Sequence, residues 1–222
     1  INDINYLASC IGLEKWHNAQ AWCMYKYALS TDIIPEFAYN LSNIIKAIYG
    51  KNKKVIALDL DNTLWGGIIG DDGQEGIEIG KESAVAQSFT EFQSFVKNFK
   101  NTGILLTVCS KNEEENALLG LNHPESVLKP DDFVSIKANW NSKDINIINT
   151  ADELSLLPES FVFIDDNPAE CAIVSSQIPD AAVIGFEDIT EAMYKLSRSG
   201  YFEVTSISED DLKRNEMYFA NA

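Results

Sequence analysis

The stretch Val55-Ile56-Ala57-Leu58-Asp59-Leu60-Asp61-Asn62-Thr63-Leu64 constrains what the rest of the chain can be. A short apolar run stops on two aspartates. The run does not alternate with polar residues, which marks a strand buried on both faces, as in a parallel sheet. Side chains two apart on a strand point the same way, so Asp59 and Asp61 would face one place at the strand's C-terminal end. Open α/β sheets bind their ligands at that edge. Two carboxylates aimed at one point repel, unless a cation joins them or one keeps its proton. Taken alone, the pattern also describes a strand running into an acidic turn.

The remaining chain supplies more strands of the same kind. Gly103-Ile104-Leu105-Leu106-Thr107-Val108-Cys109 reads as a second buried strand and ends on Ser110-Lys111-Asn112. Phe133–Ile136 reads as a third strand, Phe161–Ile164 as a fourth ending on Asp165-Asp166-Asn167-Pro168, and Ala181–Ile184 as a fifth. Helical periodicity lies between them. It predicts helices over 83–100, 113–121, 143–156, 169–177 and 190–197, with a tail helix over 209–222. Strand and helix in alternation predict an α/β fold with a Rossmann-like, doubly wound parallel sheet. The glycine-rich Trp65–Gly80 segment fits a β-hairpin flap. Neither gap between the polar clusters is long enough for a separate cap domain, so a minimal cap or none is expected. Ahead of the sheet, residues 1–50 form an aromatic-rich appendage. Its last helix, 33–49, has Pro35 in the first turn and Gly50 after the end. Domain boundaries are therefore expected at 1–50, 51–200 and 201–222, the last a truncated helical tail.

Composition narrows the class. A formal charge of −17 over 222 residues argues against nucleic acid as a partner, because phosphate backbones want Lys and Arg. It is compatible with metal binding, and with phosphate handled through a divalent ion. Four cysteines without CxxC spacing suit free thiols in a reducing cytoplasm. Two histidines, His17 and His123, supply poorly any Ser-His or Cys-His catalysis. No apolar run is long enough to span a membrane.

In a parallel sheet the strand ends share one edge, so Asp59, Asp61, Ser110, Asp165 and Asp166 can converge there, with Lys143 from a helix start between them. Each has a job in phosphoryl transfer. Asp59 can attack phosphorus and carry a phosphoaspartate. Asp61 can protonate the leaving oxygen and later deprotonate water. Asp59, the backbone carbonyl of Asp61, and Asp165 or Asp166 supply hard oxygens for Mg²⁺. Ser110 can bind a phosphate oxygen, and Lys143 can neutralise charge on the transferring group. Lys111 and Asn112 are further candidates for phosphate contact. Trp65, at the expected mouth, is a candidate for substrate stacking or a flap anchor. Cys109, next to Ser110, is expected in the core and facing away from the site.

These residues resemble the haloacid dehalogenase (HAD) superfamily. Its four motifs appear in order: DxDxT at Asp59–Thr63, Ser110, Lys143, and the acidic pair Asp165–Asp166. Asp61 implies the phosphatase or phosphotransferase branch, since dehalogenases lack that residue. The segments LDLDNTLWGGIIGDDGQEGI, SKNEEENA, KANWNSK and FIDDNPAE, with the tail SEDDLKRNEMY, look like the FkbH-like subfamily. That resemblance implies an SGNH-hydrolase-like region upstream, of which residues 1–50 would be the end. It also implies transfer of a glyceryl unit from 1,3-bisphosphoglycerate to an acyl carrier protein, with release of phosphate. An open site suits such a macromolecular acceptor. Two other classes compete: a degenerate binding module for a phosphorylated or carrier-protein partner, and a receiver-like domain. The intact motif set, Asp61 and Lys143 included, speaks against the first, and the +2 aspartate against the second.

Overall fold

The structure, a computed structural model, describes residues 2–221, without the side chains of 210, 211, 220 and 221. Residues 1 and 222, which the expected 1–50 and 201–222 segments include, lie outside the described residues. The chain divides into two compact units, Ile1–Asn52 with Glu203–Thr205, and Lys53–Phe202 with Ser206–Ala222.

The first unit is helical: α1 (Ile4–Ile11), α2 (Leu13–Trp16), α3 (Ala19–Tyr25) and α4 (Ile34–Ile48). Local capping explains where two of them start. The Asp3 carboxylate accepts from Tyr6 N and the Asn18 carboxamide oxygen from Ala21 N, each satisfying an orphan donor of a first turn. Pro35 sits in the first turn of α4.

The second unit follows the order β1 (Val55–Leu58), α5 (Ile69–Gly76), α6 (Ala84–Asn101), β2 (Leu105–Ser110), α7 (Glu114–Leu121), β3 (Ser135–Ala138), α8 (Lys143–Glu153), β4 (Phe161–Asp165), α9 (Pro168–Gln177), β5 (Ala182–Gly185), α10 (Ile189–Arg198) and α11 (Glu209–Asn221). All five strands are parallel, in the order β3-β2-β1-β4-β5. The chain builds outward from β1 in one direction, then returns to β1's other side. That reversal makes the C-terminal end of β1 the switch point, where a crevice opens.

β1 is buried on both faces, as its unbroken apolar run requires. Ile56 and Leu58 join one core with Leu106, Val108, Val162, Ile164 and the α6 residues Phe89, Phe92 and Val96. Val55 and Ala57 join a second core with Leu105, Cys109, Phe161, Phe163 and Ile147 of α8. Each fully buried aromatic or branched side chain contributes about 1.5–3 kcal/mol. Parity carries through the ladder: Val55 pairs with Phe161 and Ala57 with Phe163, so Asp59 and Asp165 continue two facing rows on the α8–α9 side of the sheet.

Two expectations are corrected. The third strand begins at Ser135 rather than Phe133, because the ladder opens at Thr107–Ser135 while Phe133 and Val134 turn into the core. The Trp65–Gly80 segment is not a hairpin flap. One antiparallel bridge, Gly66–Glu78, closes its base, and α5 fills its length. Asp71 and Asp72 lie in the first turn of α5, where acids suit the helix dipole, and Asp72 Oδ2 accepts from Ile68 N at 2.8 Å. Among the described residues no separate cap domain stands between the strands, and the sheet has the Rossmann-like topology expected from the alternation.

Buried polar work ties the loop after β1 to the frame. Gln93 of α6, fully buried, donates to Leu64 O at 2.7 Å and accepts from Ser126 Oγ, Val127 N and Leu128 N. Among the described residues no helix is long and apolar enough to cross a membrane.

Candidate active site

A cavity of about 260 Å³ opens at the C-terminal ends of β1, β2 and β4. Asp59, Asp61, Ser110, Lys111, Lys143 and Asp166 line it, and so do Asn62, Ile68, Asn167 and Glu170. The first six are sequence candidates. The other four are not.

Lys143, at the start of α8, is 3% exposed and reaches across both strand ends. Its Nζ lies 3.0 Å from Asp59 Oδ2 and 2.5 Å from Asp165 Oδ2. Burial disfavours its charge, but Asp59 and Asp165 together hold it well above the ordinary lysine value. Asp165 is fully buried and has both oxygens engaged, since Oδ1 accepts from Asn167 N at 2.8 Å. Burial and then the Asp59 charge push its carboxyl up to about 6, against the Lys143 ammonium. Asp166 is half-buried and faces the cavity; burial and then Asp59 raise it.

Asp59 is left with an unsatisfied atom. Its Oδ1 is buried and has no hydrogen-bond partner among the described residues. Oxygens of Asp59, Asp165 and Asp166 lie within 4.8 Å of one another, the one such group of potential ligands among the described residues. Three carboxylates at that spacing repel strongly, and Lys143 compensates only part of the charge. A hard divalent cation fits this donor set, and Asp59 Oδ1 is free to meet it.

Asp61 is held differently. Oδ1 accepts from Trp65 Nε1 at 2.9 Å and from Ile69 N at 3.0 Å; Oδ2 accepts from Asn112 Nδ2 at 2.8 Å. Burial raises its carboxyl above the ordinary value, against the Ile69 and Trp65 donors, and the Asp59 charge adds to the rise. Its side chain stays out of the Asp59–Asp165–Asp166 group. The positive φ of Asn62, 54°, turns the chain here, and the Asn62 carboxamide oxygen accepts from Gly67 N.

Two proposed substrate contacts are corrected. Trp65 is fully buried and cannot stack on a ligand at the mouth. The rim of its six-membered ring abuts Gly120 of α7, where an added Cβ would come within 2.5 Å of the ring, and its N–H is spent on Asp61. Asn112, 5% exposed, does not line the cavity; its carboxamide is committed to Asp61. Cys109 is in the core, but on the Asp59 side of the sheet. Its Sγ lies 3.4 Å from the Lys143 carbonyl oxygen, and burial pushes the thiol far up.

Sequence reading missed Glu170. It sits in the first turn of α9, and its Oε1 pairs with Lys111 Nζ at 2.6 Å. The signal was there: Asp165-Asp166-Asn167-Pro168 opens a helix, and that helix's first turn must face the same crevice.

No family model and no curated protein matches the chain. Solved structures do. The N-terminal part of a Bacteroides fragilis protein, containing a phosphatase domain and complexed with Mg, is 38% identical, with a TM-score of 0.89 over 93% of this chain. This chain spans 55% of that one. The HAD domain of the Legionella pneumophila effector Lem4 is 12% identical over 65% of this chain and 93% of that one, at a TM-score of 0.47. A Moraxella catarrhalis 3-deoxy-D-manno-octulosonate 8-phosphate phosphatase, in complex with magnesium, phosphate and KDO, is 16% identical over 81% and 91%, at 0.42. At that level these last two carry no inference about this chain. The five-stranded parallel sheet with its flanking helices is a Rossmann-like α/β fold, shared with the Bacteroides structure.

Proposed function

We propose that this chain is a Mg²⁺-dependent phosphatase or phosphotransferase acting through a phosphoaspartate on Asp59. The observation that carries the reading is the split between two adjacent carboxyls. Asp59 is buried beside Lys143 with one oxygen unpartnered, while Asp61 faces the same cavity on three hydrogen bonds from outside that group. A nucleophile and an acid need those two environments. The Mg²⁺ of the Bacteroides structure supports the choice of ion.

Asp59, Asp166 and the Asp61 carbonyl would hold the ion, with Asp165 behind them fixing Lys143. Bound Mg²⁺ neutralises carboxylate charge and polarises the phosphoryl oxygens. A carboxylate oxygen of Asp59 attacks phosphorus, and the bond from phosphorus to the leaving oxygen breaks. Asp61 gives that oxygen its proton. Water then attacks the phosphoaspartate, Asp61 takes the water's proton, and Asp59 is regenerated as inorganic phosphate leaves. Ser110 and Lys143 hold the equatorial oxygens while charge shifts across them.

The substrate in this reading is a phosphorylated metabolite or an acyl phosphate. The FkbH-like motifs support a finer version, glyceryl transfer from 1,3-bisphosphoglycerate to an acyl carrier protein. In the same version residues 51–200 are catalytic, 1–50 close an upstream SGNH-like region, and 201–222 are a helical tail. Four free cysteines suit a cytoplasmic setting.

The test is phosphate release from p-nitrophenyl phosphate, acetyl phosphate and 1,3-bisphosphoglycerate, with Mg²⁺, with EDTA, and with Asp59→Asn. The reading requires release that needs Mg²⁺ and Asp59. A folded protein that binds Mg²⁺ and releases phosphate from none of them would instead be a binding module.

A further inference from the structure

Beyond the phosphoryl site, one wall of the cavity is built from two charged side chains far apart in sequence. Lys111 follows the end of β2 and Glu170 sits in the first turn of α9. Both line the cavity, and they meet at 2.6 Å. Glu170 is 8% exposed, and its second oxygen, Oε2, is buried with no hydrogen-bond partner among the described residues. Lys111 is the more open partner, with its side chain 35% exposed.

The pair's charges cancel, but its hydrogen-bonding capacity is unspent. An ammonium has three N–H donors, and one is directed at Glu170 Oε1. Glu170 Oε2 is a carboxylate acceptor sealed from bulk water, a costly state that a ligand donor would relieve. A wall offering donors and an acceptor side by side, with no net charge, complements a hydroxyl group, which both donates and accepts. A carboxylate placed there meets Glu170, and an amine meets Lys111. An alkyl group strands both.

We propose that Lys111 and Glu170 form a subsite that reads a hydroxyl on the leaving group, so that polyol or sugar phosphate esters are favoured over alkyl, carboxylate-bearing and amine-bearing ones. This rests on the phosphatase reading of the adjoining site, and sorts among the substrates that reading allows. Glu170 is the specificity-determining residue, and it also keeps Lys111 on the wall.

The experiment measures binding rather than turnover. The Asp59→Asn protein with Mg²⁺ is titrated calorimetrically with glycerol 3-phosphate, n-propyl phosphate and the phosphate ester of 3-hydroxypropionate, which bears a carboxylate and no free hydroxyl. Glycerol 3-phosphate is expected to bind about 10-fold tighter than n-propyl phosphate, the worth of a hydrogen bond to a charged group. The phosphate ester of 3-hydroxypropionate is expected to bind no tighter than n-propyl phosphate. Adding Glu170→Ala should bring the first two within about 2-fold. Glu170→Gln, which keeps the volume, should also admit the phosphate ester of 3-hydroxypropionate, and it covers the case in which the alanine protein misfolds. Equal binding of glycerol 3-phosphate and n-propyl phosphate, a preference that survives both substitutions, or no binding of any ester overturns the proposal. Failure of the phosphatase reading shows separately, as absence of Mg²⁺-dependent phosphate release by the unsubstituted protein.

Discussion

Trp65→Phe separates a buried positioning role from a stacking role at the mouth. The indole is fully buried, its ring abuts Gly120, and its N–H reaches Asp61 Oδ1 at 2.9 Å. Phenylalanine removes that hydrogen bond, worth about 1.5–3 kcal/mol to a charged acceptor. It also leaves part of the space over Gly120 unfilled, costing about 1–2 kcal/mol more. The sum, about 2.5–5 kcal/mol, corresponds to a fall in Tm of roughly 5–20 °C for a unit of this size. Because the N–H lowers the Asp61 carboxyl, its loss should move the pH–rate limb assigned to that acid upward. The checks are a thermal melt and steady-state kinetics on p-nitrophenyl phosphate across pH. The account expects kcat to fall about 10-fold with KM nearly unchanged, since the acid is less well oriented. A KM that rises several-fold with Tm and kcat intact would refute it and restore Trp65 to the substrate.

Three further outcomes follow from the same packing. Gln93→Leu leaves Leu64 O and the N–H groups of Val127 and Leu128 without their buried partner, and should cost about 3 kcal/mol or more in denaturant unfolding. Lys143→Met strands Asp59 and Asp165 as uncompensated buried charges; about 3–5 kcal/mol of stability should go, with all turnover, although added Mg²⁺ should return part of the stability. Asp132, between Lys97 and Lys100, loses charge stabilisation to burial but is held below the ordinary carboxylate value by the Lys100 side chain, Lys129 N and Lys97. A depressed carboxyl stabilises the fold above its unfolded-state pKa and loses that contribution as pH falls through the folded value. Asp132→Asn should therefore be less stable at neutral pH, with the gap to the unsubstituted protein closing under acid titration.

Much of the site was legible because strand ends are written locally. An apolar run followed by Asp59 and Asp61, and another followed by Asp165 and Asp166, fix both the element and the edge where its polar residues emerge. Parity did the rest: Asp59 and Asp165 had to share a face once β1 and β4 were neighbours. What failed to read was long-range. Trp65 looks like a mouth residue until Gly120 of α7 leaves room for its ring in the core. Asn112 looks like a phosphate ligand until the loop brings it to Asp61. In the Trp65–Gly80 segment, glycine and Asp-Gly signal turns, and they hid a short helix. Ile69 is its buried anchor, Asp72 caps its entry, and Gly73, at φ 68°, kinks it. Glu170 escaped notice because its partner, Lys111, lies 59 residues away.

The phosphoaspartate on Asp59 is tested most directly by trapping it. The protein is mixed with acetyl phosphate and Mg²⁺, quenched in acid during turnover, reduced with borohydride and digested. Reduction of an acyl phosphate converts aspartate to homoserine, which a peptide mass locates by residue. Homoserine at position 59, absent with EDTA, is the result predicted here. Steady turnover with unmodified Asp59 in every quenched sample, or homoserine at position 61, 165 or 166 instead, would contradict it.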